Sequence, residues 1–381
     1  MKDNELLAAP ISKIHMIPMD VINGFEVRPG MYEVNGATAI PCGVNFTVYS
    51  YGATSCELLL FRREEVEPYA VLKFPETYKI GKVYSMIVFG LNVYDFEYAY
   101  RMDGPYDPKV GLLFNKDHIL LDIYAKAVTG QRIWGVPRME GDCYRARVVK
   151  DDFDWKTFGQ PLIPMEDLII YEMHVRGFTK HSSSGVKYPG TFAGLKEKIP
   201  YLKELGITMV ELLPAYEFDE VPKLLHESSA KQGQSRINYW GYTGAYYFSP
   251  KASYSECGKA YIELKDLVKE LHKNGIELCM EFYFIPGTRK EYILECLRYW
   301  ALEYHIDGFH VNSDVSPMQM IAEDLLLAST KLFGTWWGEG ERREKKHLAE
   351  FHDGFLVDAR KYLKGDNEQI QALLYRMRYN P

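Results

Sequence analysis

The sequence predicts a multi-domain protein in which an antiparallel β-sandwich precedes a parallel sheet with helical crossovers. Short β-type runs broken by Gly, Pro and Asn fill residues 24–130, and strands alternate with amphipathic helices after a polar join at 150–165. The first pattern is typical of a sandwich and the second of a parallel sheet. We therefore divide the chain into a tail (1–23), a sandwich domain (24–155) and an α/β domain (156–381).

The sandwich prediction depends on four runs, "GVNFTVYSY", "CELLLF", "VYSMIVFG" and "DFEYAYRMDGPY". They combine β-branched and aromatic residues, and they show hardly any helical periodicity. Turn residues separate them at short intervals, as in an antiparallel sheet.

The α/β domain shows five strand-like runs, at 167–175, 208–214, 276–284, 307–312 and 331–336. Between the first two, "TFAGLKEKIPYLKELG" predicts one helix, because Leu195, Ile199, Leu202 and Leu205 recur at helical spacing. A further helical stretch, "EQIQALLYRMRY", follows the fifth strand. This alternation favours parallel strands joined by helices.

Composition limits the classes of function. With 45 basic and 52 acidic residues and a net charge of -7, the chain gives no electrostatic reason to expect nucleic acid or a membrane as a partner. The six cysteines form no C-x-x-C pair, and no run approaches a membrane span, so we expect a reduced, cytoplasmic protein. Aromatic residues make up 14%, which fits either large cores or the stacking of sugar rings.

Polar and aromatic residues mark the ends of the predicted strands. Because the carboxyl ends of parallel strands share one edge, these ends are where function is expected. They carry Glu172, His174, Arg176, Glu211, Glu281, His310, Asn312, Thr335, Trp336 and Trp337. An aromatic segment, "INYWGYTGAYYFSP", adds Trp240 and Tyr242.

Long ordered segments resemble the isoamylase and glycogen-debranching enzymes of glycoside hydrolase family 13. They include "GVNFTVYSYGATSCELLLF", "YAYRMDGPYDPKVGLLFNKDHILLDIYAKAV", "DLIIYEMHVRGFT", "TFAGLKEKIPYLKELGITMVELLPAYEFDE" and "NYWGYTGAYYFSP". The resemblance runs from about residue 24 to about 365. It implies a starch-binding-type sandwich of carbohydrate-binding module family 48, then a (β/α)8 TIM-barrel-type domain acting on α-1,6 branch points.

The chain departs from the family pattern where the resemblance places catalysis. Retaining glycosidases need one carboxylate as nucleophile and a second, protonated one as general acid. The family's "GFRFD" reads "GFHVN" here, which puts Asn312 in the nucleophile position and His310 in the arginine position. The acid/base Glu of "LIAEPW" is replaced by Thr335 in "LFGTWW". An amide and a hydroxyl cannot perform these steps, so we expect a degenerate site.

Three carboxylates could restore chemistry. Asp314 shares the strand face of Asn312, Glu339 lies four residues past Thr335, and Glu281 takes the place of a family aspartate that supports the site. For substrate binding, the resemblance points first to Tyr242, which matches the tyrosine that stacks on sugar. Further candidates are Trp240, His310, His174, Arg176, Trp336 and Trp337.

Three functions follow from these observations. The leading one is a catalytically inactive, glucan-binding or regulatory protein that takes glycogen, starch or a branched oligosaccharide. The alternatives are an active α-1,6-glucan hydrolase or transglycosylase with a relocated carboxylate pair, and a structural subunit of an active paralogue. None of these functions calls for a metal or an organic cofactor.

The strand count adds an expectation about assembly. A closed barrel needs eight parallel strands, and five leave a domain that is incomplete at the C-terminus, with two open edges. The chain is then a fragment of a longer protein, a barrel closed irregularly, or a subunit whose edges another copy or a partner covers. We expect that it is not a stable monomer with a closed barrel.

Overall fold

The computed structural model describes residues 16–63, 65–129, 133–136, 144–150, 152–155, 159–221, 237–337 and 347–378. The chain forms two compact units. The first comprises Met1–Phe158, His174–Ile199 and Ala215–Glu270, and the second comprises Gly159–Met173, Pro200–Pro214 and Leu271–Pro381.

Two antiparallel sheets build the sandwich in the first unit. One sheet contains β1 (Asp20–Ile22), β2 (Phe25–Pro29), β3 (Gly36–Ile40), β4 (Gly43–Tyr49), β7 (Lys79–Ile80) and β8 (Val83–Phe89), in the order β1-β2-β8-β4-β3 with β7 beside β8. The other contains β5 (Ser55–Arg62), β6 (Pro68–Lys73), β9 (Phe96–Asp103), β12 (Ala127–Thr129) and β13 (Arg145–Arg147), in the order β12-β13-β9-β5-β6. A hairpin of β10 (Tyr106–Asp107) and β11 (Leu112–Leu113) stands apart. The first strand begins at Asp20, inside the segment assigned to the tail.

The sandwich core follows from alternation along the strands. Phe46 of β4 and Tyr98 of β9 are buried, and their rings meet edge to face with centroids 5.2 Å apart. Each buried ring of this kind contributes roughly 1.5–3 kcal/mol. At Gly43 a β-carbon would lie 2.1 Å from the carbonyl oxygen of Val88, so only glycine allows β4 to pair closely with β8 there. The predicted sandwich is confirmed.

Six parallel strands form the sheet of the second unit. In spatial order they are β14 (Ile170–Met173), β15 (Met209–Leu212), β18 (Glu277–Phe282), β19 (Gly308–Val311), β20 (Lys331–Gly334) and β21 (Leu348–Glu350). The five predicted strands are confirmed, and β21 is a sixth that the sequence did not reveal. Within the described residues β14 and β21 are the two edges, so the sheet is an open, incomplete barrel.

Helices alternate with strands along this part of the chain, and two more follow the last strand. The α-helices are α1 (Val175–Thr179), α2 (Phe192–Lys196), α3 (Ile199–Glu204), α4 (Ala260–Lys273), α5 (Lys290–Glu303), α6 (Met318–Ala322), α7 (Asp353–Leu363) and α8 (Gln369–Arg378). Short 3₁₀ turns occur at Glu76–Tyr78, Pro108–Val110, Met165–Asp167, Ser182–Ser184, Ala252–Tyr254 and Leu325–Leu327. Among the described residues, no helix is long and apolar enough to cross a membrane.

The single helix predicted over "TFAGLKEKIPYLKELG" is wrong, because the structure divides it into α2 and α3. Pro200 has no N–H to donate to a carbonyl one turn earlier, and its ring is accommodated only in the first turn of a helix. The first helix therefore ends and a second begins around the proline. Leu205 then falls beyond α3 and is 48% exposed rather than part of the core.

A two-stranded sheet in the first unit carries the aromatic segment. It pairs β16 (Tyr216–Phe218) with β17 (Ala245–Pro250) in antiparallel fashion. We call residues 237–243, which lead into β17, the aromatic loop; it contains Trp240 and Tyr242.

Candidate functional site

Asn312 lies directly after β19, and its side-chain amide is hydrogen-bonded to the segment that follows the neighbouring strand β18. Its Oδ1 accepts the backbone N–H of Phe284 at 2.9 Å, and its Nδ2 donates to the carbonyl oxygen of the same residue at 3.0 Å. The same Nδ2 lies 3.2 Å from Oδ1 of Asp314. The amide thus pairs with both backbone groups of Phe284, and it joins the segment that follows β18 to the segment that follows β19. A carboxylate cannot make the donating half of this pair.

His310 forms an ion pair at the same end of the sheet. Its Nδ1 lies 2.7 Å from Oε1 of Glu211, and its ring packs against Phe351 with centroids 4.4 Å apart. Burial disfavours the charged imidazolium, but the hydrogen bond and charge of Glu211 outweigh this effect, so the pKa of His310 lies above its usual value. Partial burial, and then the charge of Glu211, raises the pKa of Glu172. His310 therefore favours its protonated form more than a free imidazole does, within a cluster of carboxylates.

This cluster predicts a pH-dependent stability that the variant His310→Gln should lack. A histidine whose pKa is raised on folding stabilises the native state fully below its unfolded value of about 6.5, and this contribution is lost as the pH rises through the folded value. We expect wild type to exceed H310Q in unfolding free energy most near pH 6 and least near pH 8.5. Urea melts at the two pH values measure this difference. A difference that grew with pH would contradict the assignment.

Ser313 ties the end of β19 to the end of β20. Its Oγ accepts the backbone N–H groups of Thr335 at 3.0 Å and Trp336 at 3.1 Å. Thr335 is exposed, and its side chain is a hydroxyl where the resemblance places the acid/base. Sequence reasoning did not single out Ser313, because a serine between two polar residues carries no pattern of its own.

The two tryptophans after Thr335 differ in exposure. Trp337 is 3% exposed, and its indole Nε1 donates to the carbonyl oxygen of Ala349 at 2.8 Å, while its backbone N–H donates to Glu350. Trp337 therefore fastens β20 to β21 and offers no open ring face. Trp336 is 56% exposed and remains available for stacking.

The carboxylates that could restore catalysis differ in exposure and in contacts. Asp314 is exposed and contacts the amide of Asn312, whereas Glu281 is half-buried and pairs across the ladder with His310. Glu339 lies outside the described residues. In the part of the chain that the structure describes, no three His, Cys, Asp or Glu side chains are grouped to hold a metal ion.

The remaining predicted residues lie in the first unit, where His174 anchors the aromatic loop. Its Nδ1 accepts the N–H of Gly177 at 2.9 Å and so caps α1. Its Nε2 lies 2.9 Å from the carbonyl oxygen of Tyr239, and the two rings stack with centroids 4.2 Å apart. Burial lowers the pKa of His174, which favours the neutral ring that this pairing needs. Its contacts are structural.

Aromatic rings surround this anchor. Trp134 stacks on Tyr254 at 5.6 Å and meets His174 edge to face, and Arg176 lies over the Trp134 ring at 5.3 Å. Trp134 and Tyr254 were not identified from the sequence, since isolated aromatic residues are most often core residues. Trp240 and Tyr242, by contrast, are 52% and 43% exposed on the loop.

The chain is similar to a family of carbohydrate-binding modules and to enzymes that debranch glucans. Residues 35–125 match the family "Carbohydrate-binding module 48 (Isoamylase N-terminal domain)". The chain is 36% identical to the chloroplastic isoamylase 1 of Oryza sativa subsp. japonica, with 83% of this chain and 50% of that protein covered. It is 28% identical to the glycogen debranching enzyme of Serratia proteamaculans (strain 568), with 90% and 62% covered. The chain thus spans less than two thirds of either relative.

A solved structure supports the fold. The pullulanase of Paenibacillus barengoltzii in complex with maltohexaose and α-cyclodextrin superimposes with a TM-score of 0.67 at 20% identity. The alignment covers 86% of this chain and 58% of the pullulanase. The fold of this chain is therefore shared by the aligned part of this pullulanase.

Proposed function

The chain is an isoamylase-like protein of glycoside hydrolase family 13 with an N-terminal carbohydrate-binding module of family 48, and on that premise we propose that it binds α-glucan without hydrolysing it. Its place would be in glycogen or starch metabolism, as a binding or regulatory protein. The proposed location is the cytoplasm, although the rice relative is named as chloroplastic.

The pairing of Asn312 with Phe284 is the main support for the proposal that the chain does not hydrolyse glucan. Both functional atoms of the amide are engaged by the backbone of Phe284, just beyond the end of β18, so the side chain has a structural role that a nucleophile could not share. Thr335, at the acid/base position, offers no group that titrates near neutral pH. Losing a catalytic group costs several orders of magnitude in rate in well-studied enzymes.

Exposed aromatic residues support the proposal that the chain binds α-glucan. Trp240, Tyr242 and Trp336 each present roughly half of their surface to solvent. Aromatic faces combine a large apolar area with few rotatable bonds, which suits them to stacking on pyranose rings. The glucan class is proposed from the relatives named above, one of which was solved with maltohexaose.

We expect the double variant Trp240→Ala, Tyr242→Ala to bind glycogen about tenfold more weakly than wild type, because two rings that could stack on sugar are removed. Affinity electrophoresis through a gel containing glycogen measures this, with serum albumin as the non-binding standard. Tyr201→Ala, which removes a 45% exposed ring from α3, is the matched control. Wild-type mobility that glycogen leaves unchanged would refute the binding proposal.

Two other functions make different predictions. A hydrolase or transglycosylase with a relocated carboxylate pair would show turnover that Asp314→Asn abolishes, since Asp314 is the exposed carboxylate beside Asn312. A structural subunit would co-purify from its native host with an active paralogue. The hydrogen bonds between the Asn312 amide and Phe284 favour a binding protein over a hydrolase or transglycosylase.

A further inference from the structure

Lys251, the residue after β17, is a fully buried cation. Its side chain is 0% exposed. The ammonium Nζ lies 2.7 Å from Oε1 of Glu217, 2.9 Å from Oε1 of Glu220 and 2.8 Å from the carbonyl oxygen of Phe218. These contacts use all three donors of the ammonium group. Its charge also lies over the Phe218 ring, 4.5 Å from the centroid.

The two carboxylates depend on this cation. Both are buried, with side-chain exposures of 1% for Glu217 and 0% for Glu220. Glu217 also accepts the backbone N–H of Ala252 at 2.7 Å, and Glu220 accepts the hydroxyl of Ser253 at 2.8 Å. Removing one partner of a buried ion pair leaves an uncompensated charge in a low dielectric, which is strongly unfavourable. Without Lys251 this group of residues would have to rearrange.

Glu220 connects the buried charges to the aromatic loop. Its carbonyl oxygen accepts the backbone N–H of Asn238 at 2.7 Å. The side-chain Oδ1 of Asn238 then accepts the N–H of Gly241 at 3.2 Å, and Gly241 has a φ of +83° that other residues rarely adopt. Trp240 and Tyr242 flank this glycine. The position of both exposed rings thus depends on where Glu220 is held.

We propose that Lys251 is a positioning residue for α-glucan binding: it fixes Glu220, and through Glu220 and Asn238 it holds the aromatic loop in the conformation that presents Trp240 and Tyr242. The inference rests on the proposed function for its ligand. The conformational part, that Lys251 orders residues 237–243, stands on the contacts of the first unit alone.

The test compares Lys251→Met with Lys331→Met. Methionine keeps an apolar stem and removes the charge. Lys331 is the matched control, because its Nζ lies 2.6 Å from Oε2 of buried Glu277 in the parallel sheet, so K331M also breaks a buried pair. Hydrogen exchange followed by mass spectrometry reads the amides of residues 237–243, and affinity electrophoresis reads glycogen binding.

We expect K251M to speed exchange in 237–243 about tenfold or more and to weaken glycogen binding about tenfold, while K331M changes neither in its folded fraction. Lys251→Arg, which retains the cation, should restore most of both. If K251M does not fold, Lys251→Gln takes its place. Exchange at the wild-type rate in the neutral variant, or equally fast exchange in K331M, would overturn the proposal. Wild type that fails to bind glycogen refutes the proposed function, and the exchange result still decides the role of Lys251.

Discussion

Replacing Asn312 by aspartate should destabilise the protein by about 1–3 kcal/mol and should not create a hydrolase. The amide donates to the carbonyl oxygen of Phe284 at 3.0 Å, and a carboxylate would place two lone-pair-bearing oxygens opposite each other. The bond is lost and a partly buried acceptor is left without its donor. Restoring the residue that the family resemblance places here would therefore cost stability rather than return function.

Urea unfolding of N312D measures this loss. Asn115→Asp is the matched control, because Asn115 is exposed and its Oδ1 accepts the N–H of Asp117 at 2.9 Å. An aspartate oxygen can accept this hydrogen bond equally well. We expect the control to stay within about 0.5 kcal/mol of wild type. Below about pH 4 the introduced carboxyl group is protonated and can donate, so N312D should recover part of its deficit. Equal stability of N312D and wild type at pH 7 would show that the pairing contributes nothing.

The second large effect concerns association. In the second unit, β14 and β21 are the sheet edges among the described residues, and the helix pair α7 and α8 has no buried residue. Its apolar side chains are exposed, among them Leu356 at 54%, Leu363 at 81%, Ile370 at 59%, Tyr375 at 57% and Met377 at 66%. Apolar patches of this kind and unpaired edges favour self-association. We expect the polypeptide at micromolar concentrations to be larger than a monomer.

Light scattering on a size-exclusion column tests this. Leu363→Asp should shift the population toward the monomer, because it places a charge on the helix pair. Leu325→Asp is the control, since that leucine is 90% exposed on a 3₁₀ turn away from α7 and α8 in sequence. A monodisperse 44.1-kDa wild-type particle that melts cooperatively would contradict the expectation.

Local sequence patterns predicted much of the fold. All five strand-like runs became strands, because apolar runs between amphipathic helices are typical of a parallel sheet. The sixth strand, β21, has only three residues, "LAE", and no alternation over so short a length. The segment 191–206 has helical spacing throughout, and only Pro200 marks the point where its two helices separate.

The site was less predictable, since its contacts join residues distant in sequence. The sequence raised the question of Asn312, but its partner Phe284 follows another strand, and no local pattern connects the two. The sequence did not point to Lys251, because a lysine is almost never fully buried unless it is paired with a carboxylate. Its partners Glu217 and Glu220 lie beside it only in the folded chain. Trp336 and Trp337 are neighbours with the same side chain, and only the structure shows that one is exposed and the other buried.

Binding of glucan without hydrolysis can be tested in a single experiment. Reducing ends are counted in glycogen and β-limit dextrin incubated with enough protein for electrophoresis to show binding. We expect bound protein and no reducing ends above the glucan-only blank, for wild type and Asp314→Asn alike. Steady release of reducing ends by wild type that Asp314→Asn abolishes would contradict it and identify the chain as a working glycosidase.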